Sequence, residues 1–296
     1  MIGRHVRTRA GVFGAMLREF TPARLVQVLQ AAALATMLLN TIALWKQEAR
    51  RPSRGQQTAA APRPEFGPAW RGYVRSDGTR RRLLAIALGT LAFGMQDVLL
   101  EPYGGQVLGM GVGATTWLTA TLAAGTLAGF CIASAVLSRG TDPARMALIG
   151  AAIGVPAFAA VISTAFIPSL PLFALGVFFI GLGVGLFGHG TLTLTMNRAP
   201  KEQAGLALGA WGAVQATAAG AGVALGGIGR DVVQALASRG VFGDALATPA
   251  TGYAFVYGIE IVLLLATVVA MTALLRSDAR RPAAAINNNQ HQWSAP

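Results

Sequence analysis

The sequence has few charged residues and almost no cysteine. Charged residues occupy 12% of the 296 positions and hydrophobic residues occupy 53%. Soluble proteins carry about 25% charged residues, so this composition predicts a helical membrane protein that crosses the bilayer several times. Cys131 is the only cysteine and lies in an apolar run, which excludes an intrachain disulfide and a cysteine-based zinc site.

Acidic residues are also scarce, with 12 Asp and Glu against 24 Lys and Arg. The basic residues concentrate between the apolar runs, where positive charge orients a membrane protein in the bilayer. We therefore predict that the basic residues lie beside the lipid bilayer, which is a partner of the protein, and we exclude nucleic acid as a partner.

Enzyme motifs are missing as well. The sequence has no phosphate-binding loop, no HExxH and no GxSxG, and the glycine-rich run 181–190 lies within an apolar segment and does not follow a strand. The sequence therefore predicts a protein that is not an enzyme.

Seven apolar runs are long enough to cross a bilayer, which takes about 20 helical residues. They cover residues 25–45, 83–108, 115–137, 146–167, 172–196, 206–225 and 253–275. Five regions follow from this pattern: an N-terminal segment (1–23), a transmembrane helix (24–45), a basic cytoplasmic linker (46–82), a six-helix membrane domain (83–275) and a disordered cytoplasmic tail (276–296).

Basic residues recur at one side of the predicted membrane domain, as the positive-inside rule requires. They are Arg139, Arg145, Arg198, Lys201, Arg276, Arg280 and Arg281. The arginines of segment 1–23 are the exception, because they would face the opposite side. We interpret this segment as the remnant of an upstream helix and the chain as the later part of a longer protein.

The second span contains an unusual polar stretch from Gly94 to Gly105. Asp97 and Glu101 are four residues apart and share a helix face, which Thr90 and Gly94 continue towards the start of the span. Pro102 predicts a break or kink beside Glu101. The two carboxyl groups are interpreted either as a proton-coupling or ligand-contacting pair, or as structural groups that cap the freed backbone and bind Gln96 or Tyr103.

Three further polar positions lie in later spans. His189 follows Gly181 and Gly185 on one helix face, and these glycines let another backbone or a flat molecule approach closely. Counting along the helices separates His189 from Asp97 and Glu101, which predicts two sites. Gln215 and Trp211 share a face and are expected to pack in the core or, alternatively, to contact a ligand. Glu260 is expected to pair with Arg230 or to reach the interface, and Gly125 with Gly129 to pack against another helix.

Three runs carry a resemblance to a known family. They are Gln96-Asp-x-x-Leu-Glu-Pro-Tyr-Gly-Gly105, Phe187-Gly-His-Gly-Thr-Leu-Thr193 and Gly205-Leu-Ala-Leu-Gly-Ala-Trp-Gly-Ala-Val-Gln215. The chain resembles the PucC/LhaA family of bacteriochlorophyll delivery proteins, which is similar to the major facilitator superfamily. The resemblance implies an all-α, major-facilitator-like membrane protein of about seven transmembrane helices, the last helix of the first half and the six of the second half.

The resemblance also implies a function. The chain would aid assembly of light-harvesting complexes by binding or delivering bacteriochlorophyll, as a cargo and not as a tightly bound cofactor. Its partners would be antenna polypeptides, in the inner or intracytoplasmic photosynthetic membrane of a bacterium. Ligand or transport candidates are Gln96, Asp97, Glu101, Pro102, Tyr103, His189 and Gln215, with His189 as an axial ligand to the pigment's magnesium or, alternatively, a hydrogen-bond donor to a carbonyl group.

Two other functions remain open. One is a proton-coupled small-molecule transporter of the major facilitator type, with Asp97 and Glu101 as the coupling site. The other is a non-transporting assembly scaffold that binds antenna helices through its small-residue faces.

Overall fold

The structure is a computed structural model that describes residues 22–44, 66–76, 78–199 and 203–279. The chain divides into two units, 1–65 and 66–296. In the first unit, helix α1 (Pro22–Leu44) forms at the first predicted span. Its role as a membrane span stays a prediction. The proposals for residues 1–21, 45–65 and 280–296 concern regions outside the described residues.

The described part of the second unit is helical throughout and has no strand. Its helices are α2 (Phe66–Arg75), α3 (Thr79–Met95), α4 (Leu100–Gln106), α5 (Val112–Leu137), α6 (Pro143–Ser163), α7 (Leu170–Arg198), α8 (Ala204–Ser238) and α9 (Ala250–Ala279). Within the described ranges, six segments are long and apolar enough to cross a membrane, α3 and α4 forming one of them. The prediction of an all-α polytopic membrane protein is confirmed.

Helix α2 lies inside the region predicted to be a flexible linker, and this part of the prediction is wrong. Phe66, Trp70 and Tyr73 repeat at helical spacing and form an apolar stripe. Tyr73 is buried in a small cluster with Ala207 at the start of α8, and Trp70 packs against that cluster. The many arginines of the region led us to overlook this stripe. The helix that follows, α3, begins at Thr79 instead of residue 83.

The break in the second span lies before Pro102, contrary to the prediction. Helix α3 ends at Met95, a 3₁₀ turn covers Gln96–Val98, and α4 begins at Leu100. Pro102 is therefore the third residue of α4, in the first turn, where a missing backbone N–H breaks no hydrogen bond. Glu101, which precedes Pro102, is helical, contrary to the prediction.

Close backbone contacts between helices hold the bundle together. A side chain at Gly125 or Gly129 of α5 would overlap a backbone carbonyl oxygen of α7, that of Phe178 or Leu182. On its other side, α7 approaches α6, where a Cβ at Gly150 would lie 2.6 Å from the Phe187 nitrogen. The predicted close-packing face of Gly125 and Gly129 is confirmed.

An aromatic core fills the space that these contacts leave between α3, α4, α6, α7 and α9. The Tyr103 ring lies 5.3 Å from Phe173 and 5.7 Å from Tyr257, measured between ring centroids. The Tyr103 hydroxyl donates to the Val161 carbonyl at 3.1 Å and lies 2.9 Å from the Thr164 hydroxyl. Tyr103 therefore links α4 to the end of α6.

Replacing Gly125 by alanine should lower the free energy of unfolding by about 1–3 kcal/mol, because the new methyl group overlaps the α7 backbone and forces the helices apart. The measurement is thermal or denaturant unfolding of the purified protein in detergent. Gly113, at the start of α5, is the matched control, since no atom lies within 4 Å of its Cβ position. Equal stability of both variants would contradict the close contact.

Candidate functional site

A cavity of about 580 Å³ opens between α3, α5, α7 and α8. Most of its wall is apolar and aromatic, formed by Phe93, Leu122, Phe130, Val184, Phe187, Leu192 and Trp211. Its volume lies within the range of about 300–1,000 Å³ that is typical of small-molecule sites.

A few polar groups interrupt this apolar wall. The Thr90 hydroxyl of α3 donates to Gln215 Oε1 of α8 at 2.7 Å. Trp211 Nε1 donates to the Thr191 hydroxyl of α7 at 3.3 Å. Gln215 and Trp211 are half-buried and both line the cavity, so Gln215 stays a ligand candidate. Their hydrogen bonds tie α8 to the facing helices.

His189 lies on the α7 wall of the cavity and is partly exposed. Its ring centroid is 6.0 Å from that of Phe130 on α5, with the ring planes at 69°. Among the described residues, neither imidazole nitrogen has a hydrogen-bond partner. The alternative that His189 donates to a nearby carbonyl group is therefore not what the structure shows.

The glycines before His189 serve helix packing. A Cβ at Gly181 or Gly185 would overlap the carbonyl oxygen of Leu122 or Thr126 on α5, so it is a backbone that approaches this face and not a flat ligand. Gly188 differs, because it lines the cavity and no atom lies within 4 Å of its Cβ position.

Asp97 and His189 line the same cavity, contrary to the prediction of two separate sites. The cavity extends along the helices, from Thr90 to Asp97 on one wall and from Val184 to Leu192 on another. The two side chains lie at different depths along their helices, but the cavity is long enough to include both.

Asp97 and Glu101 do not form one site. The 3₁₀ turn rotates Asp97 towards the cavity, where its Oδ1 accepts a hydrogen bond from Gln96 Nε2. Glu101 is absent from the cavity wall and accepts from the Thr119 hydroxyl at 2.6 Å. The prediction that they share a helix face is wrong because the break lies between them.

The other candidates divide in the same way. Gln96 and Asp97 line the cavity, whereas Pro102 is exposed elsewhere and Tyr103 belongs to the aromatic core. Of the polar face predicted on α3, Thr90 and Gly94 do reach the cavity. The aromatic wall from α5 and α7 was not predicted, because a phenylalanine in an apolar span has no distinguishing pattern.

The predicted pair of Glu260 and Arg230 does not form. Arg230 donates to Asp231 at 2.7 Å, to the Tyr253 hydroxyl at 3.0 Å and to Gln106. Glu260 is fully buried, with 0% of its surface exposed. It lies two helical turns beyond Tyr253 on α9, and Tyr253 is the α9 residue that contacts Arg230.

Comparison with known proteins places the chain in a family. The family described as PUCC protein matches residues 1–279 of the 296. The chain belongs to this family. The protein called Protein PucC of Rhodovulum sulfidophilum is 57% identical over 224 residues, 75% of this chain and 49% of that protein.

Two further relatives show how much of the family's length is present. Protein PucC of Cereibacter sphaeroides is 48% identical over 265 residues, 90% of this chain and 56% of that protein. The Bacteriochlorophyll synthase 44.5 kDa chain of Rhodobacter capsulatus is 27% identical over 285 residues, 94% of this chain and 63% of that protein. The chain thus spans about half the length of the PucC relatives it matches.

The hydrogen bond between Thr90 and Gln215 should couple α3 to α8. We expect Thr90→Val and Gln215→Leu together to show a coupling free energy of about 1 kcal/mol in a double-mutant cycle, because each single variant leaves a polar partner unsatisfied. Unfolding in detergent measures it. Thr126→Val is the control partner: Thr126 also lines the cavity, but its hydroxyl bonds only within α5, to Leu122. The same coupling with Thr126 would contradict a direct contact.

Proposed function

We propose that this membrane protein binds bacteriochlorophyll in the cavity between α3, α5, α7 and α8 and so helps light-harvesting complexes assemble. The observation that carries the proposal is His189, whose imidazole lies on an aromatic cavity wall with no partner among the described residues. Membership of the PUCC family supports the pigment class, as does the name of the related Bacteriochlorophyll synthase 44.5 kDa chain.

His189 is suited to give one ligand to a metal whose other ligands belong to the bound molecule. A neutral imidazole nitrogen is a good metal ligand. The described residues contain no cluster of three or more His, Cys, Asp or Glu that could hold a bare metal ion. A tetrapyrrole supplies four nitrogens to its magnesium and needs only one axial ligand from the protein, which is what the cavity offers.

The walls of the cavity suit a flat conjugated ring. Phe130, Phe187 and Trp211 present aromatic surfaces, and such surfaces attract another ring through stacked or edge contacts. Thr90 and Gln215 offer polar atoms to a substituent at the ring edge. A volume of about 580 Å³ accommodates the ring better than the whole pigment, so we expect the isoprenoid tail to extend between α5 and α8 into lipid.

Delivery and assembly require contact with other proteins as well as pigment. Helices α5 and α8 expose much of their surface, including Trp117, Leu127 and Ile228. These apolar faces are suited to lipid or to the helices of antenna polypeptides. We place the protein in a bacterial photosynthetic membrane, with the loops that carry Arg139 and Arg198 on the cytoplasmic side.

Pigment binding is tested by two changes at the cavity wall. His189→Leu removes the axial ligand, and Gly188→Leu fills the cavity from a position with free space around it. Both should reduce severalfold the bacteriochlorophyll that copurifies with the protein, measured by absorption after extraction from pigment-producing cells. The matched control is Gly209→Leu, because Gly209 also has free space around its Cβ position but lies outside the cavity wall.

Pigment retained by the Gly188 variant would contradict binding in this cavity. Pigment lost from Gly188→Leu but kept by His189→Leu would place it in the cavity without ligation by His189. Equal loss from all three variants would indicate a general effect on the bundle.

The role in assembly is tested by deleting the gene in a photosynthetic strain that has no intact paralogue. We expect antenna complexes to fall while pigment synthesis continues, because the delivery step is lost and the synthetic steps are not. Absorption of isolated membranes and of total pigment extracts measures the two quantities. Unchanged antenna levels would contradict the proposal, and crosslinks to antenna polypeptides without bound pigment would support a scaffold instead.

A further inference from the structure

Glu260 is a buried carboxyl group without a partner. It lies about three turns into α9, its exposed fraction is 0%, and neither carboxylate oxygen has a hydrogen-bond partner in the described part of the chain. An ionised carboxylate in such a place costs several kcal/mol unless it is neutralised. Either a proton or a cation must therefore remove its charge.

Within the part of the chain that the structure describes, no basic side chain hydrogen-bonds to Glu260. The titratable groups within electrostatic reach are Asp97, at the break between α3 and α4, and Tyr257, one turn earlier on α9. Arg230 donates to Asp231, Gln106 and Tyr253. A second negative charge at Glu260 would add repulsion from Asp97 to the cost of burial.

Among the described residues, other buried polar atoms near the break also lack partners, and the Tyr257 hydroxyl is the one among them that can donate. Gln96 Nε2 donates to Asp97, which leaves Gln96 Oε1 buried without a donor. The Tyr257 hydroxyl is buried and unpaired as well, within the described residues. An ionised Glu260 adds only acceptors to this region, whereas a protonated one adds an O–H donor.

We propose that Glu260 is a proton-binding site of this protein. The site takes up one proton from water on the carboxylate oxygen and holds it as a neutral carboxylic acid. Asp97, a residue of the cavity wall, lies within electrostatic reach of this proton. Neither the pigment proposal nor the family match assigns this role, and it stands whether or not the cavity binds pigment.

Proton occupancy should affect the shape of the cavity. Loss of the proton would add a negative charge within electrostatic reach of Asp97, which lies in the 3₁₀ turn Gln96–Val98, where the backbone is already interrupted. The repulsion between the two carboxylates would act on the segment that orients Gln96 and Asp97 into the cavity. The protonation state of Glu260 therefore influences the cavity wall that faces a ligand.

Infrared spectroscopy of the purified full chain in detergent tests the site directly. We expect a carbonyl stretching band of a protonated carboxylic acid at neutral pH that is lost in Glu260→Gln and kept in Asp97→Asn. Glutamine has nearly the shape of a neutral glutamic acid, so the variant should fold. Glu101→Gln is the matched control, since Glu101 is a membrane-span glutamate that already has a hydroxyl donor.

Carboxyl-labelled glutamate gives a second measurement that does not depend on the folding of the Glu260 variant. In labelled Glu101→Gln protein, the protonated band should shift, because Glu260 is then the one glutamate left in the six spans. An unshifted band, or one lost only in Asp97→Asn, would overturn the proposal. So would a band that appears only when sodium and potassium are removed, because a metal cation would then occupy the site.

Discussion

The close approach of helix backbones around α7 is the constraint on which the rest of the structure depends. Gly181 and Gly185 face α5, while Gly183 and Gly190 face α6, and none of them has room for a side chain. With two sides of α7 in backbone contact, its remaining surface is the one that presents Phe187, Gly188 and His189 to the cavity. The position of the imidazole is thus fixed by glycines that never touch a ligand.

A second set of glycines fixes the opposite wall. Gly222 and Gly226 of α8 lie against the backbone of α3, at Leu91 and Met95, where that helix ends. This contact brings α8 to the break in the second span, and the hydrogen bond from Thr90 to Gln215 adds a polar link two turns away. At the break the Leu99 amide donates to the Gln96 carbonyl at 2.9 Å, so the interruption keeps a backbone partner, as a membrane span requires. The cavity is therefore bounded by two close helix pairs, and its open space lies between them.

The break also decides where the carboxyl groups of the second span lie. It turns Asp97 into the cavity, leaves Glu101 with Thr119 on the surface of α5, and places a carboxyl group within electrostatic reach of Glu260. A ligand in the cavity and a proton on Glu260 would act on the same short segment from opposite sides. This arrangement connects a binding wall to a buried carboxyl group.

The sequence by itself determined the membrane-protein class, the six spans of the membrane domain, the packing face at Gly125 and Gly129, and the part of the polar face that Thr90 and Gly94 form on α3. These depend on local composition and on helical periodicity, which neighbouring residues carry. Only the tertiary structure decided that His189 and Asp97 line one cavity, that Glu101 does not, and that Arg230 pairs with Tyr253 and Asp231 instead of Glu260. Each of these outcomes depends on the rotation of one helix against another, and a break of a few residues before Pro102 was enough to change that rotation.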